Sequence, residues 1–271
     1  MNKLDYGEIL FIGRCNCNCY YCLGNEMHKL RENVQNNMNI HFKKWINFGR
    51  FISILKECNV STIYLSSTIS EPLLYTYIDE LVQYLKSIGF KVGIRTNGYY
   101  LEEHIGLIKE LDAEVSLSIN SFKQETTTQI TGNNEAIDWN YILDLMDDID
   151  KKCRVSIVVN QYNYTEVMDM LDKIEEYRCV TYVQLRRIYK YSKNIDIEDA
   201  VFERTVELLR ANSKMVGNFH ESEIYGYKGL KVSLWRNVFK KENIASLNYF
   251  TDGLLTDNTL LVPAYERGKD E

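Results

Sequence analysis

Four of the seven cysteines lie inside one eight-residue stretch, "CNCNCYYC", at Cys15, Cys17, Cys19 and Cys22. Thiolates at this density can pair as disulfides, bind zinc or hold an iron–sulfur cluster. Disulfides belong to oxidising compartments. A structural zinc site is usually built from two ligand pairs set some distance apart. Here there is one tight group, and the other cysteines, Cys58, Cys153 and Cys179, stand singly. Ligands one residue apart also wrap a tetrahedron poorly. A [4Fe–4S] cluster is larger than one ion and accepts thiolates spread over a loop. Cys15, Cys19 and Cys22 have the spacing C-x3-C-x2-C, and three thiolates leave one iron free to bind a substrate or cofactor. Cys17 falls between two of these positions and reads as a bystander, although it could replace a neighbour.

Such a loop needs a scaffold, and the chain alternates short β-rich runs with amphipathic helical patterns. The predicted strands are Glu8–Ile12, Thr62–Ser66, Lys91–Arg95, Glu114–Ile119, Arg154–Val159 and Thr181–Leu185. Between them, apolar residues recur at helical spacing. The stripes are Trp45/Phe48/Ile52/Leu55, Leu74/Tyr77/Ile78/Leu81/Val82/Leu85, Ile105/Ile108/Leu111, Ile142/Leu145/Met146/Ile149 and Val167/Met170/Leu171/Ile174. Asn163 and Glu166, three residues apart, have the pattern of a capping box for the last of these helices. Strand–helix–strand units imply parallel strands joined by right-handed crossovers. The expected architecture is α/β, a partial (β/α)6 TIM-like barrel over residues 1–213, with its chemistry at the C-terminal ends of the strands. From 214 the pattern changes to a β-rich extension, 214–271, packed on the core. It contains one hairpin in "HESEIYGYKGLKVSLWRNVF" and a second pair of strands turned at Asp257-Asn258.

Composition narrows the function classes. The chain has 271 residues, 45% hydrophobic and 26% charged, as in an ordinary globular protein. It has no apolar run near the roughly 18 residues a membrane helix needs and no secretory h-region at its start, so a cytoplasmic location and no membrane partner are expected. The net charge of −6 argues against a nucleic-acid partner. Residues 1–50 nevertheless hold seven Lys/Arg against four Asp/Glu, which reads either as scatter or as a basic rim facing an acidic electron donor. His28, His41, His104 and His220 lack metal-ligand spacing. The twenty tyrosines suit half-buried β surfaces.

"CNCNCYYC" after "EILFIG" resembles the radical S-adenosylmethionine (radical SAM) superfamily, in which an aromatic residue typically precedes the third cysteine, as Tyr21 does here. Further similarities follow in chain order. "TIYLSSTISEPLL" resembles the family's Gly-Gly-Glu-Pro stretch through Glu71 and Pro72, with Ile69 and Ser70 in place of the glycines. "IRTNGYYL" matches its Thr-Asn-Gly through Thr96, Asn97 and Gly98; alone, that triplet is an ordinary turn. "VSLSIN" is similar to its Ser-x-Asp, with Ser118 at the ribose-contacting serine and Asn120 in place of the aspartate. "RVSIVVNQYNYTEV" resembles the fifth strand and its following helix through Arg154, Asn160 and Asn163. "YVQLRRIYK" resembles the sixth strand, whose main chain, here at Leu185 and Arg186, meets the adenine.

The resemblance implies Cys15, Cys19 and Cys22 as iron ligands of one [4Fe–4S] cluster. It implies Tyr21, Ser70, Glu71, Thr96, Asn97, Ser118, Asn120, Asn160, Leu185 and Arg186 around S-adenosylmethionine. No second cysteine group follows the barrel. The implied activity is reductive cleavage of S-adenosylmethionine to a 5′-deoxyadenosyl radical, which takes hydrogen from a substrate. The implied partners are a flavodoxin- or ferredoxin-type electron donor and a small-molecule or peptide substrate, with a small molecule or nucleoside favoured. Arg154 is a candidate substrate contact. Residues 214–271 are placed to act as a lid. The competing readings are a non-catalytic zinc or iron–sulfur binding module and a relative that binds the cofactor without turnover.

Overall fold

A computed structural model describes residues 4–22, 24, 36–67, 70–188, 195–219, 222–236 and 246–256. Six parallel strands form its centre: β1 (Tyr6–Phe11), β2 (Thr62–Ser67), β3 (Lys91–Thr96), β4 (Val115–Ser118), β5 (Cys153–Val158) and β6 (Val180–Arg186). Each overlaps its predicted run. The helices are α1 (Phe48–Glu57), α2 (Ile78–Ser87), α3 (Ile105–Glu110), α4 (Gln124–Thr131), α5 (Trp139–Asp148), α6 (Val167–Glu175) and α7 (Ile195–Asn212). Helices α4 and α7 are absent from the predicted set.

Strands β7 (Lys214–Phe219), β8 (Ser222–Tyr227), β9 (Leu230–Trp235), β10 (Ser246–Phe250) and β11 (Leu255–Thr256) extend the same sheet at both edges. The order is β11-β10-β1-β2-β3-β4-β5-β6-β9-β8-β7. β9 joins β6 in parallel and β10 joins β1 in parallel, and each edge is finished by antiparallel pairing. The sheet is a curved, open arc of the TIM-like type. The first predicted hairpin is present, with β8 and β9 joined at Lys228 and Gly229, both at positive φ. A bend that was not predicted precedes the second expected turn. Phe250 N donates to Leu254 O, so the bend lies at Thr251–Gly253, because Gly253 supplies the positive φ the turn requires. Asp257 and Asn258 lie outside the described residues.

The register separates two faces. Ile9, Ile63, Leu65, Val92, Ile94, Val115, Leu117, Val155, Ile157, Val183 and Leu185 are fully buried. They share one face and pack with the helix stripes in a single core. Helix α2 buries Ile78, Leu81, Val82 and Leu85, with Asp79 and Glu80 at its positive N-terminal end. The alternate positions point the other way: Glu8, Tyr64, Ser66, Arg95, Ser116, Ser118, Arg154, Ser156, Tyr182, Gln184 and Arg186. Parallel strands covered on both sides normally read as continuous apolar runs. Here the face opposite the helix stripes is largely polar.

The capping box at α6 is not formed. Asn163 Oδ1 accepts from Asn160 N at 2.9 Å, and its Nδ2 donates to Asn120 O at 2.8 Å and Val158 O at 3.0 Å. Glu166 accepts from Ser121 Oγ and from Thr126 Oγ1. Both side chains tie loops together across the top of the sheet, and Glu166 itself occupies the N-cap position without capping the helix through its side chain. Tertiary partners win over the local pattern.

Candidate active site

The cysteine loop leaves the C-terminal end of β1 and is pinned to the end of α4. Asn18 N donates to Thr131 O at 2.7 Å and Tyr20 N to Ile130 O at 3.2 Å. Helix α4 ends there because Gly132 adopts the left-handed conformation, φ 64°. Within the loop, Cys22 N donates to Cys19 O at 2.9 Å and Cys17 N to Cys15 Sγ at 3.4 Å. None of the four cysteines is in a disulfide, and all are at least partly accessible. Among the described residues, no three Cys, His, Asp or Glu side chains converge on a single metal ion.

Glu71 braces the loop from β2's side. It is 2% exposed. Its Oε1 accepts from Thr96 Oγ1 at 2.6 Å and Leu73 N at 3.2 Å, and its Oε2 from Asn97 N at 2.9 Å. Its own N–H donates to Arg14 O at 3.3 Å, next to Cys15. Burial lifts this carboxyl to about 7, against the lowering effect of the three donors. Asn97 then reaches the cysteines: its Nδ2 lies 2.7 Å from Asn16 Oδ1, 3.5 Å from Cys17 Sγ and 3.7 Å from Cys15 Sγ. Gly98 follows at φ +84°, where a Cβ would stand 2.6 Å from the Trp139 ring, so both backbone and space demand glycine. Ser70 Oγ donates to Phe11 O at 3.1 Å and meets Ser67 Oγ at 3.0 Å. Ile69 lies outside the described residues, as do His28 and His220.

Tyr21 OH donates to Asn120 Oδ1 at 2.8 Å, which ties the loop to the end of β4. Burial, then the nearby Cys19 and Cys22, hold its hydroxyl protonated well above the usual range. Tyr20 OH donates to Glu198 Oε1 at 2.8 Å. Glu198, from the first turn of α7, is fully buried and also accepts from Gln161 N and Nε2 at 3.0 and 3.2 Å. Glu198 and Gln161 were not among the predicted site residues. Glu198 looks like any acidic residue opening a helix, and its partners lie 178 and 37 positions away.

The predicted residues therefore divide. Cys15, Cys19, Cys22, Ser70, Glu71, Thr96, Asn97, Tyr21 and Asn120 meet in one bonded region. Ser118 lies on the polar face at the end of β4. Asn160 is fully buried, with Nδ2 on Val158 O and Oδ1 on Tyr162 N, a loop-building role. The Leu185 side chain lies on the apolar face, and the Arg186 carbonyl accepts from Val159 N at 3.0 Å. The adjoining main chain is committed to the sheet.

The donor set fits a cationic cluster. The Cys15 thiol is raised above its ordinary value by the bond with Cys17 and by burial. Cys17 is pushed up to about 12: its bond with Cys15 lowers it, but its bond with Cys19 and burial raise it more. Crowded thiols of this kind ionise when iron supplies the compensating charge. Asn16 Nδ2 is also buried beside them without a hydrogen-bond partner.

A cysteine-rich loop at the open end of a parallel α/β arc, braced by a buried glutamate, defines a TIM-like α/β protein with its polar groups gathered at the C-terminal ends of the strands. Residues 9–174 match the Radical SAM superfamily, and the chain belongs to that family. It is 26% identical over 207 residues to the GTP 3',8-cyclase of Nautilia profundicola, covering 72% of this chain and 61% of that relative. It is 25% identical over 131 residues to an S-adenosylmethionine-dependent nucleotide dehydratase of a Thermoplasmatales archaeon, covering 48% of this chain and 43% of the relative. The chain thus spans about three fifths or less of these relatives' lengths. In fold it is similar to Streptococcus suis SuiB bound to S-adenosylmethionine, with a TM-score of 0.64 at 12% identity over 95% of this chain and 61% of that one. Among the described residues, no helix is long and apolar enough to cross a membrane.

Proposed function

We propose that this chain is a radical SAM enzyme in which Cys15, Cys19 and Cys22 hold one [4Fe–4S] cluster and S-adenosylmethionine completes the open iron. The observation that carries the reading is the bracket of Glu71, Thr96 and Asn97 against the cysteine loop, above a polar sheet face. When bound, the reduced cluster and S-adenosylmethionine supply a 5′-deoxyadenosyl radical that removes hydrogen from an unactivated carbon. The chain's own task is positioning. Glu71 fixes the β3 turn, and Asn97 presents its amide to the loop. Tyr21 and Asn120 fix the loop against β4, and Ser118 lies ready on the polar face for a cofactor hydroxyl. The arc holds the target carbon and keeps out competing hydrogen donors.

The substrate we favour is a small molecule of nucleoside or nucleotide type, supported by the nucleotide chemistry named for the two sequence relatives. The likeness to SuiB shows fold alone, and fold does not choose a substrate. Residues 1–213 form the core in this reading, and 214–271 an extension that lengthens the arc. A flavodoxin- or ferredoxin-type donor supplies the electron, and the cytoplasm suits the reduced thiols. Anaerobic reconstitution with iron and sulfide is expected to give a brown protein that releases 5′-deoxyadenosine from S-adenosylmethionine with dithionite. A colourless protein carrying one zinc defeats the proposal.

A further inference from the structure

The strand register puts three arginines on the polar face: Arg95 of β3, Arg154 of β5 and Arg186 of β6. Two are neutralised. Arg95 pairs with Glu8 and lies 5.2 Å from the Tyr64 ring centroid. Arg154 pairs with Glu114 at 3.1 Å and donates to Ser116 Oγ at 2.9 Å and Tyr182 OH at 3.4 Å. Arg186 differs. Among the described residues its guanidinium has no ion pair and no hydrogen bond, and only through-space effects reach it from Arg154, Arg95, Tyr21 and Glu8. It is the last residue of β6, at the same end of the sheet as the cysteine loop. Burial first, and then Arg154 and Arg95, lower it to about 10, so it stays charged at neutral pH. Among the described residues no carboxylate is bonded to this half-buried cation, which makes it costly to hold. Its five donors match an oxyanion in bidentate fashion.

We infer that the Arg186 side chain grips an anionic group of the substrate, a carboxylate or a phosphate, and holds the remainder of the molecule over Ser118, Ser156 and Gln184. This rests on the polar face being the reaction chamber, and it adds the substrate's charge to that reading. It also gives the residue a side-chain role, where the sequence suggested a main-chain one.

The test is calorimetric titration of the cluster-reconstituted full chain with inorganic pyrophosphate, with malonate and, separately, with S-adenosylmethionine. The wild type is expected to bind one of the two anions saturably, and more weakly as salt is raised. Arg186→Gln is expected to weaken that binding by about tenfold or more, and Arg186→Lys to keep part of it, since a point charge survives without the bidentate fork. Arg210→Gln, in the surface pair with Glu223, is expected to bind the anion as the wild type does. Unchanged anion binding by Arg186→Gln overturns the inference, and so does a wild type that binds neither anion. A loss falling on S-adenosylmethionine and sparing the anion also overturns it, by assigning Arg186 to the cofactor carboxylate. Thermal melts of each variant separate misfolding from lost recognition: if Arg186→Gln melts early, the Lys variant must keep the anion for the inference to stand. The titration needs no turnover, so a failure of cofactor cleavage is read independently.

Discussion

The two faces of the central sheet are built from the same strands, one residue out of step, and they do opposite things. The outer face is Ile, Leu and Val against helix stripes and holds the arc together. The inner face is Ser, Tyr, Gln, Glu and Arg, and it contributes little apolar burial. Polar groups that a purely structural sheet would avoid are concentrated there, and at the C-terminal end they meet the cysteine loop. The contrast teaches that apolar packing and polar groups are assigned to alternate residues of one strand, so the two can be perturbed separately.

The largest effect is expected at the loop. Cys15→Ala, Cys19→Ala and Cys22→Ala should each abolish bound iron and cofactor cleavage, while Cys17→Ala keeps both; iron analysis and 5′-deoxyadenosine release read the outcome, and equal loss at all four cysteines would favour a four-thiolate site. Next come the faces themselves. Leu65→Ala or Ile157→Ala on the outer face should cost about 2–5 kcal/mol in chemical denaturation. Ser118→Ala on the inner face should cost well under that and lower cofactor affinity. Comparable destabilisation by both would break the division. Gly98→Ala should cost about 1–3 kcal/mol, since it strains a positive φ and drives a methyl into Trp139; the same change at exposed Gly49, where a Cβ meets nothing, should not destabilise.

The smallest effect is a slope. Burial lifts Glu71 to about 7 from an ordinary 4.5, so between those values the folded chain holds a proton that the unfolded chain has released. That contribution to stability is complete below about pH 4.5 and is lost as pH rises through 7, by at most about 1.4 kcal/mol per pH unit. Denaturation across pH 4.5–7 should show this slope in the wild type and a flatter profile in Glu71→Gln. An identical slope in both would place the titration elsewhere.

The six central strands were legible because their outer-face residues are apolar and bounded by turns. Helix α4 was not, since "QETTTQIT" turns Thr126, Thr127 and Thr131 inward alongside Ile130, and threonine gives no apolar stripe. The inner face was written in Ser116/Ser118, Arg154/Ser156 and Tyr182/Gln184/Arg186, polar at every second position, yet each run reads locally as an ordinary strand. The cysteine spacing and the Glu71, Thr96 and Asn97 echoes were visible because short motifs carry them. Glu198 and Gln161 were not, because their bonds depend on where α7 docks. The placement of β10 beside β1 has no local signature at all.

That last pairing has a consequence for how the molecule is assembled. Glu8 sits opposite Asn248 and Leu10 opposite Phe250, so one flank of the first strand waits for residues some 240 positions later. A ribosome delivers the cysteine loop and its braces, Glu71, Asn97 and Thr131, well before that strand arrives. The seam between β1 and β10 therefore cannot close until residues 246–250 have been made. Until it does, β1 presents a bare hydrogen-bonding edge, a place where nascent chains can stick to one another.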